Sequence, residues 1–159
     1  MLELITDHNL VKHYVDDDPV RPHIPSAWRL GENKFVFALY EDQYAEAHEP
    51  CHKVAEAVIC VALCKGVPKD EEDLMALSEK DDLDTAVFYT VWSYQKGAGR
   101  QIINQAQMHL HEKFGHKIKK YVTLSPLTRV AERFHLRNGA ILLQKGEKCQ
   151  NFEYSLPKE

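Results

Sequence analysis

The chain of 159 residues has the length of one domain, and 44% hydrophobic against 28% charged residues is typical of a folded protein rather than a disordered one. Its formal net charge of -4 gives no general attraction to nucleic acid, which argues against a DNA-binding protein. No apolar run reaches the roughly 20 residues that cross a bilayer, and the N-terminus lacks a secretory signal pattern. These properties predict one cytoplasmic domain over residues 1–159, with neither nucleic acid nor membrane as partner.

The N-terminal stretch is predicted to begin with a strand over residues 2–5 and a turn or two of helix over 9–15. Three prolines follow between positions 19 and 25. Because proline lacks an amide donor and disfavours helical geometry at the residue before it, they predict an extended loop that ends near Trp28.

Two strands are predicted next, over residues 34–40 and 54–63, where apolar and β-favouring residues are dense, and we expect them to pair. Residues 69–84 are acidic with few large apolar positions, which indicates a short surface helix or a loop. The four cysteines follow no disulfide framework, and we expect them to be reduced and mostly buried. They are Cys51, Cys60, Cys64 and Cys149.

The pattern is clearest from residue 85 onward. A strand is predicted over 85–93, a turn over 94–99 and a helix over about 99–114 that ends at Gly115. Later segments are predicted as a strand over 118–124, a helix that starts with Pro126 in its first turn and ends near Asn138, and final strands over 140–144 and 151–156. Because strand-helix-strand units cross over to a parallel neighbour, strands 85–93 and 118–124 should be parallel or splay apart around a ligand.

The turn before the predicted helix at 99 has the composition of an anion site. It reads Gln95-Lys96-Gly97-Ala98-Gly99-Arg100. Unpaired backbone N–H groups and the positive end of the helix dipole meet at such a helix start, and Lys96 and Arg100 add charge-assisted hydrogen bonds. The turn therefore predicts a pyrophosphate and a nucleotide-tailed cofactor; ordinary turn chemistry is the alternative.

Ser125 and His135 are the candidate catalytic pair. Each also has a structural interpretation, as a helix N-cap for Ser125 and as a packed histidine beside Phe134 for His135. A histidine titrates near neutrality and can supply a proton, while a serine hydroxyl can orient a carboxylate or an enolate. Together with the glycine turn, the pair indicates chemistry at the reactive end of the cofactor.

His48-Glu49-Pro50-Cys51-His52 matches the H-E-x-x-H motif of zinc proteases. That motif needs a helix that places both histidines on one face, and Pro50 lies inside the would-be turn. A loop between strands is the favoured interpretation, and no metal site is predicted.

The strand, turn and helix over 85–114 resemble the GNAT acyltransferases, in which the turn holds the pyrophosphate of coenzyme A. Gly97-Ala98-Gly99 fits the family turn, but Tyr94 stands where the family has Arg or Gln, and Gln95 falls one place late. In ordinary GNAT acetyltransferases a tyrosine four residues before the helix-ending glycine protonates the CoA thiolate. His135 holds that place relative to Gly139.

Several segments are also similar, in the same order, to the catalytic domain of malonyl-CoA decarboxylase, itself a GNAT-fold enzyme. They are 54–68, 85–99, 123–126, 131–140 and 151–154. The resemblance implies an α+β, GNAT-like mixed sheet of about six to seven strands with flanking helices, splayed between strands 85–93 and 118–124.

The same resemblance implies an enzyme that decarboxylates a malonyl thioester and protonates the resulting enolate, with His135 as the acid and Ser125 as the orienting group. It implies a coenzyme A thioester, malonyl-CoA or acetyl-CoA, as substrate, no metal, a small-molecule acyl-CoA partner, and leaves a homodimer open. The residues implied to bind coenzyme A are Val91, Trp92, Gln95, Lys96, Gly97, Ala98, Gly99, Arg100 and Asn138.

Two alternatives stay open. One is a GNAT acetyltransferase that moves an acetyl group from acetyl-CoA to an amine. The other is a coenzyme A-binding module without turnover.

Overall fold

The computed structural model describes residues 1–41 and 54–157, so Cys51 and the H-E-x-x-H stretch at 48–52 lie outside the described residues. Within that part, eight strands form a mixed sheet in the order β1-β2-β3-β4-β5-β8-β6, and β7 pairs with β8. The strands are β1 (Leu2–Leu4), β2 (Lys34–Leu39), β3 (Ala57–Cys64), β4 (Thr85–Ser93), β5 (Lys120–Thr123), β6 (Ser125–Pro126), β7 (Ile141–Lys145) and β8 (Cys149–Tyr154). The helices are α1 (His8–Val15), α2 (Ser26–Arg29), α3 (Glu71–Leu77), α4 (Ala98–Phe114), a 3-10 turn (Gly115–Lys117) and α5 (Arg129–Arg137).

The chain divides into two compact units, one of residues 1–60 with 91–106 and the other of residues 61–90 with 107–159. In the first unit, β1 pairs antiparallel with β2. Helix α1 begins after Asp7, whose carboxylate accepts a hydrogen bond from the Leu10 N–H (2.9 Å) and so caps the helix. The strand and helix predicted at the N-terminus are therefore confirmed.

A buried ion pair organises the proline-rich segment of the first unit. Arg29 is fully buried, and its Nη1 lies 2.8 Å from Asp18 Oδ2. The same guanidinium donates to the carbonyls of Ile24 (3.0 Å) and Arg21 (2.5 Å), while Asp18 Oδ1 accepts from the Arg21 N–H (2.9 Å). The loop predicted to end near Trp28 contains the short helix α2, which starts directly after Pro25. One buried cation thus links the carbonyls of Arg21 and Ile24 to the Asp18 carboxylate.

The second unit contains the parallel pair that the sequence predicts. Thr85 to Phe88 of β4 pair with Lys120 to Thr123 of β5, and the Leu124 N–H donates to the Phe88 carbonyl (3.1 Å). Strand β4 continues to Ser93, whereas β5 ends at Thr123, so the pairing stops partway along β4 as predicted. Strand β8 runs antiparallel to β5, β6 and β7.

The predicted start of α5 is wrong. Ser125 and Pro126 form β6, and the helix begins at Arg129 after Thr128, whose hydroxyl accepts from the Ala131 N–H (3.2 Å). The sequence Ser-Pro is a good helix start locally, but β6 continues the register in which β5 faces β8. β6 is the last strand in the sheet order, and an edge strand is where a sheet tolerates proline.

The other predicted elements agree with the structure within a few residues. The acidic segment at 69–84 contains α3, which Asp70 caps by accepting from the Asp73 N–H (2.8 Å), and whose Leu74 is fully buried. The three described cysteines, Cys60, Cys64 and Cys149, are buried as predicted. None of the described helices is both long and apolar enough to cross a bilayer.

Candidate functional site

His135 lies in the second unit, on α5, and is 5% exposed. Its Nδ1 lies 2.7 Å from the Tyr154 hydroxyl of β8. The imidazole stacks on Phe152, with ring centroids 5.3 Å apart and planes 28° apart, and meets Phe134 edge-on at 5.0 Å. Two rings and one hydroxyl therefore hold the imidazole in a single orientation.

Burial sets the charge of this imidazole. Removal from water lowers the pKa of His135 to about 4, because the charged form loses its hydration. Burial also raises the pKa of Tyr154, and the Asn138 side chain partly offsets that rise. At neutral pH the ring is uncharged and the phenol keeps its proton. In the tautomer with hydrogen on Nε2, Tyr154 donates to Nδ1, and the ring offers Nε2–H as its free donor.

A pH-dependent stability follows from this pKa. Between pH 6.5 and about 4 the unfolded chain binds the His135 proton more readily than the folded one, so the free energy of unfolding falls as the pH is lowered. The loss across this window is about 3 kcal/mol. Urea denaturation at several pH values should show it in the wild type and not in His135→Phe, which keeps an aromatic ring against Phe152. Equal acid sensitivity of the two proteins would contradict the assignment.

Ser125 lies on β6 in the same unit and is buried. Its hydroxyl lies 2.8 Å from the hydroxyl of Thr123, which in turn accepts from the Phe152 N–H (3.1 Å). Helix α5, which carries His135, packs against β6. The structure thus places the two predicted catalytic residues on contacting elements of one unit, with Phe152 in contact with His135 and with Thr123.

The glycine turn lies in the first unit, between β4 and α4. Gly97 has a positive φ of 83°, a conformation that favours glycine, and a Cβ at this position would have no neighbour within 4 Å. The Ala98 N–H donates back to the Gln95 carbonyl (3.2 Å), which closes the turn immediately before α4. Lys96 and Arg100 are exposed on either side. As predicted, the turn stands at the start of a long helix, where the first N–H groups lack intrahelical partners.

The strand before this turn ends in a hydrogen-bonded aromatic pair. The Trp92 indole N–H donates to the Tyr94 hydroxyl (3.0 Å), which donates to Asp17 Oδ2 (2.7 Å). Burial, reinforced by the Asp17 hydrogen bond, raises the pKa of Tyr94 to about 12. Tyr94, which occupies the family's Arg or Gln position, therefore ties the turn to the end of α1. The hydroxyl proton of Tyr94 is used in the hydrogen bond to Asp17.

The residues predicted to bind coenzyme A lie in the first unit, except Asn138. Asn138 lies in the second unit, at the end of α5. Of that set, Trp92, Ala98 and Gly99 are buried. Within the described residues, no group of three or more His, Cys, Asp or Glu side chains is arranged to hold a metal ion.

Sequence reasoning missed Tyr154 and Thr123 as partners of the site. Tyr154 contacts His135 across 19 positions of chain, and Thr123 bonds the Phe152 N–H across 29. A signal existed, because Phe152 and Tyr154 alternate along β8 and so face the same side of the sheet. Recognising which side required the pairing of β8 with β5.

No family model and no curated protein matches this sequence. Solved structures do match: malonyl-CoA decarboxylase from Rhodopseudomonas palustris has a TM-score of 0.70 at 18% identity, over 98% of this chain and 60% of that chain. The GNAT domain of S. lividans PAT has a TM-score of 0.62 at 8% identity, over 96% of this chain and 88% of that chain. The structure of AtaTR bound with AcCoA has a TM-score of 0.59 at 11% identity, over 96% of this chain and 92% of that chain.

These likenesses define the class of the protein: the chain has the GNAT fold, as the sequence predicts. The observed sheet has eight strands in its described part, where about six to seven were expected. Among particular proteins, the chain is similar in structure to malonyl-CoA decarboxylases from three bacteria, and it spans 33% to 60% of the length of those chains.

Proposed function

We propose that this protein is an acyl-CoA enzyme that removes carbon dioxide from a malonyl thioester. The observation that carries the proposal is His135, buried, stacked and held at Nδ1 by Tyr154, on a helix that packs against the strand of Ser125. The structural likeness to malonyl-CoA decarboxylases and the glycine turn at the start of α4 support it.

In the proposed reaction, the bond between the carboxylate carbon and the α-carbon breaks, and its electron pair delocalises onto the thioester oxygen. The neutral imidazole offers Nε2–H to that oxygen, as a hydrogen-bond donor for the developing charge. The developing negative charge favours a protonated ring, so Nδ1 takes up one proton from the solvent while Nε2 gives its proton to the α-carbon. The overall reaction thus consumes one solvent proton for each thioester. The products are carbon dioxide and the acetyl thioester. Ser125 orients the departing carboxylate through its hydroxyl.

The test is to incubate the purified protein with malonyl-CoA and follow acetyl-CoA and carbon dioxide. We expect equal amounts of both, without an added amine. Acetyl-CoA consumption that requires an amine, with malonyl-CoA untouched, would instead identify an acetyltransferase, for which the acetyl-CoA complex of AtaTR is the supporting observation. Tight coenzyme A binding without any product would identify a binding module.

The pyrophosphate role proposed for the glycine turn can be tested against a matched control. Gly97 and Gly66 have φ values of 83° and 82°, and an added Cβ meets nothing within 4 Å at either. Gly97→Ala and Gly66→Ala should therefore each cost about 1 kcal/mol of stability from backbone strain. We expect Gly97→Ala alone to weaken coenzyme A binding, by about tenfold, because its methyl group stands where phosphate approaches the N–H groups. Calorimetric titration showing equal affinities for both variants would refute this role.

A further inference from the structure

One face of the second unit carries more polar groups than the proposed reaction uses. Ser125 pairs in register with Gln150, and Tyr121 with Tyr154, so β5 and β6 share one alignment against β8. Directly opposed residues of antiparallel strands project to the same side, as do alternate residues along a strand. Gln150 therefore lies on the face that presents Ser125, Phe152 and Tyr154.

The Gln150 side chain is buried and fixed, yet half of its amide is unused. The residue is 2% exposed, and its Nε2 donates to the Pro126 carbonyl (3.0 Å). Because a carbonyl oxygen can only accept, this bond determines which end of the amide faces Pro126. The other end, Oε1, has no hydrogen-bond partner in residues 1–41 and 54–157. An amide oxygen can only accept, so it requires a donor.

The neighbouring amide of Asn151 shows that an amide oxygen without a hydrogen-bond partner is not general to the hairpin. Asn151 donates through Nδ2 to the carbonyls of Pro68 (2.9 Å) and Thr123 (2.7 Å), and its oxygen accepts from Gln144 (2.8 Å). Buried acceptors are nearly always paired with protein, water or ligand. The unused oxygen of Gln150 lies on the Ser125 face, where the proposed function puts a thioester.

We propose that Gln150 is a substrate-binding residue, whose amide oxygen accepts a hydrogen bond from an N–H or O–H group of the acyl thioester. This inference rests on the proposed function. A malonyl carboxylate has no proton to donate at neutral pH, so it is not the partner of Gln150 and is left to Ser125. The donor is either an amide N–H of the pantetheine arm or a hydroxyl carried by a substituted malonyl group.

Binding measurements with the whole chain test this assignment. Acetyl-, butyryl- and 3-hydroxybutyryl-CoA are titrated calorimetrically into the wild type and into Gln150→Met, which keeps the side-chain length. If the pantetheine arm is the donor, Gln150→Met binds all three about tenfold more weakly. If the acyl group is the donor, the wild type prefers the hydroxybutyryl over the butyryl thioester by about tenfold, and the variant loses that preference. Unchanged affinities for all three overturn the proposal.

Gln144→Met is the matched control, because it removes a glutamine of the same hairpin whose amide N–H donates to Asn151. The affinities of Gln144→Met for the three thioesters should equal those of the wild type.

If Gln150→Met fails to fold, the wild type alone tests the proposal by two comparisons of affinity. One compares butyryl- with 3-hydroxybutyryl-CoA, and the other compares amide-linked with ester-linked pantetheine analogues. Equal affinities in both comparisons overturn the proposal. Absence of any coenzyme A thioester binding by the wild type would contradict the proposed function itself.

Discussion

Replacing His135 with glutamine is expected to slow malonyl-CoA decarboxylation by about 10²- to 10⁴-fold, the range that a positioned general acid contributes. Glutamine retains an N–H donor but cannot take up and deliver a proton. The binding of coenzyme A should change little, because most of the residues proposed to hold it lie on the glycine turn and His135 is not among them. The measurement is the rate of acetyl-CoA formation at saturating malonyl-CoA.

His116→Gln is the matched control, since His116 is exposed on the 3-10 turn after α4. It should leave the rate unchanged. A His135→Gln protein that is folded and as active as His116→Gln would remove His135 from the mechanism, even if the protein proved to be a decarboxylase.

The second large effect concerns the ion pair of the first unit. Asp18→Ala is expected to lower the free energy of unfolding by about 3 to 5 kcal/mol, because it leaves the guanidinium of Arg29 buried without a counterion. Both side chains are completely buried, with Nη1 and Oδ2 2.8 Å apart. Urea denaturation at neutral pH measures the loss.

Asp16→Ala provides the comparison for Asp18→Ala. Asp16 is exposed at the end of α1, two positions away, and its replacement should change stability by less than about 0.5 kcal/mol. In the double variant Asp18→Leu/Arg29→Met the pair is replaced by apolar side chains, and much of the lost stability should return because no charge is left buried. If Asp18→Ala and Asp16→Ala were equally stable, the ion pair would not hold the proline-rich segment.

Elements whose signals are local could be read from the sequence. Strand β4, the glycine turn and helix α4 were predicted within a residue or two, because an apolar run, a glycine at positive φ and a 3.6-residue period each act over a few neighbouring positions. Ser125 and His135 were predicted as the catalytic pair from their residue types and from a family resemblance. Their catalytic roles remain predictions.

What the sequence by itself determined is therefore the order of its strands and helices apart from α2 and β6, the turn before α4 and the GNAT-like class. The tertiary structure decided that Ser125 belongs to a strand rather than a helix cap, since pairing with β8 outweighs a favourable local start. It also decided the protonation state of His135 and its contact with Tyr154. Burial and strand register depend on residues far apart in the chain, and no local pattern encodes them.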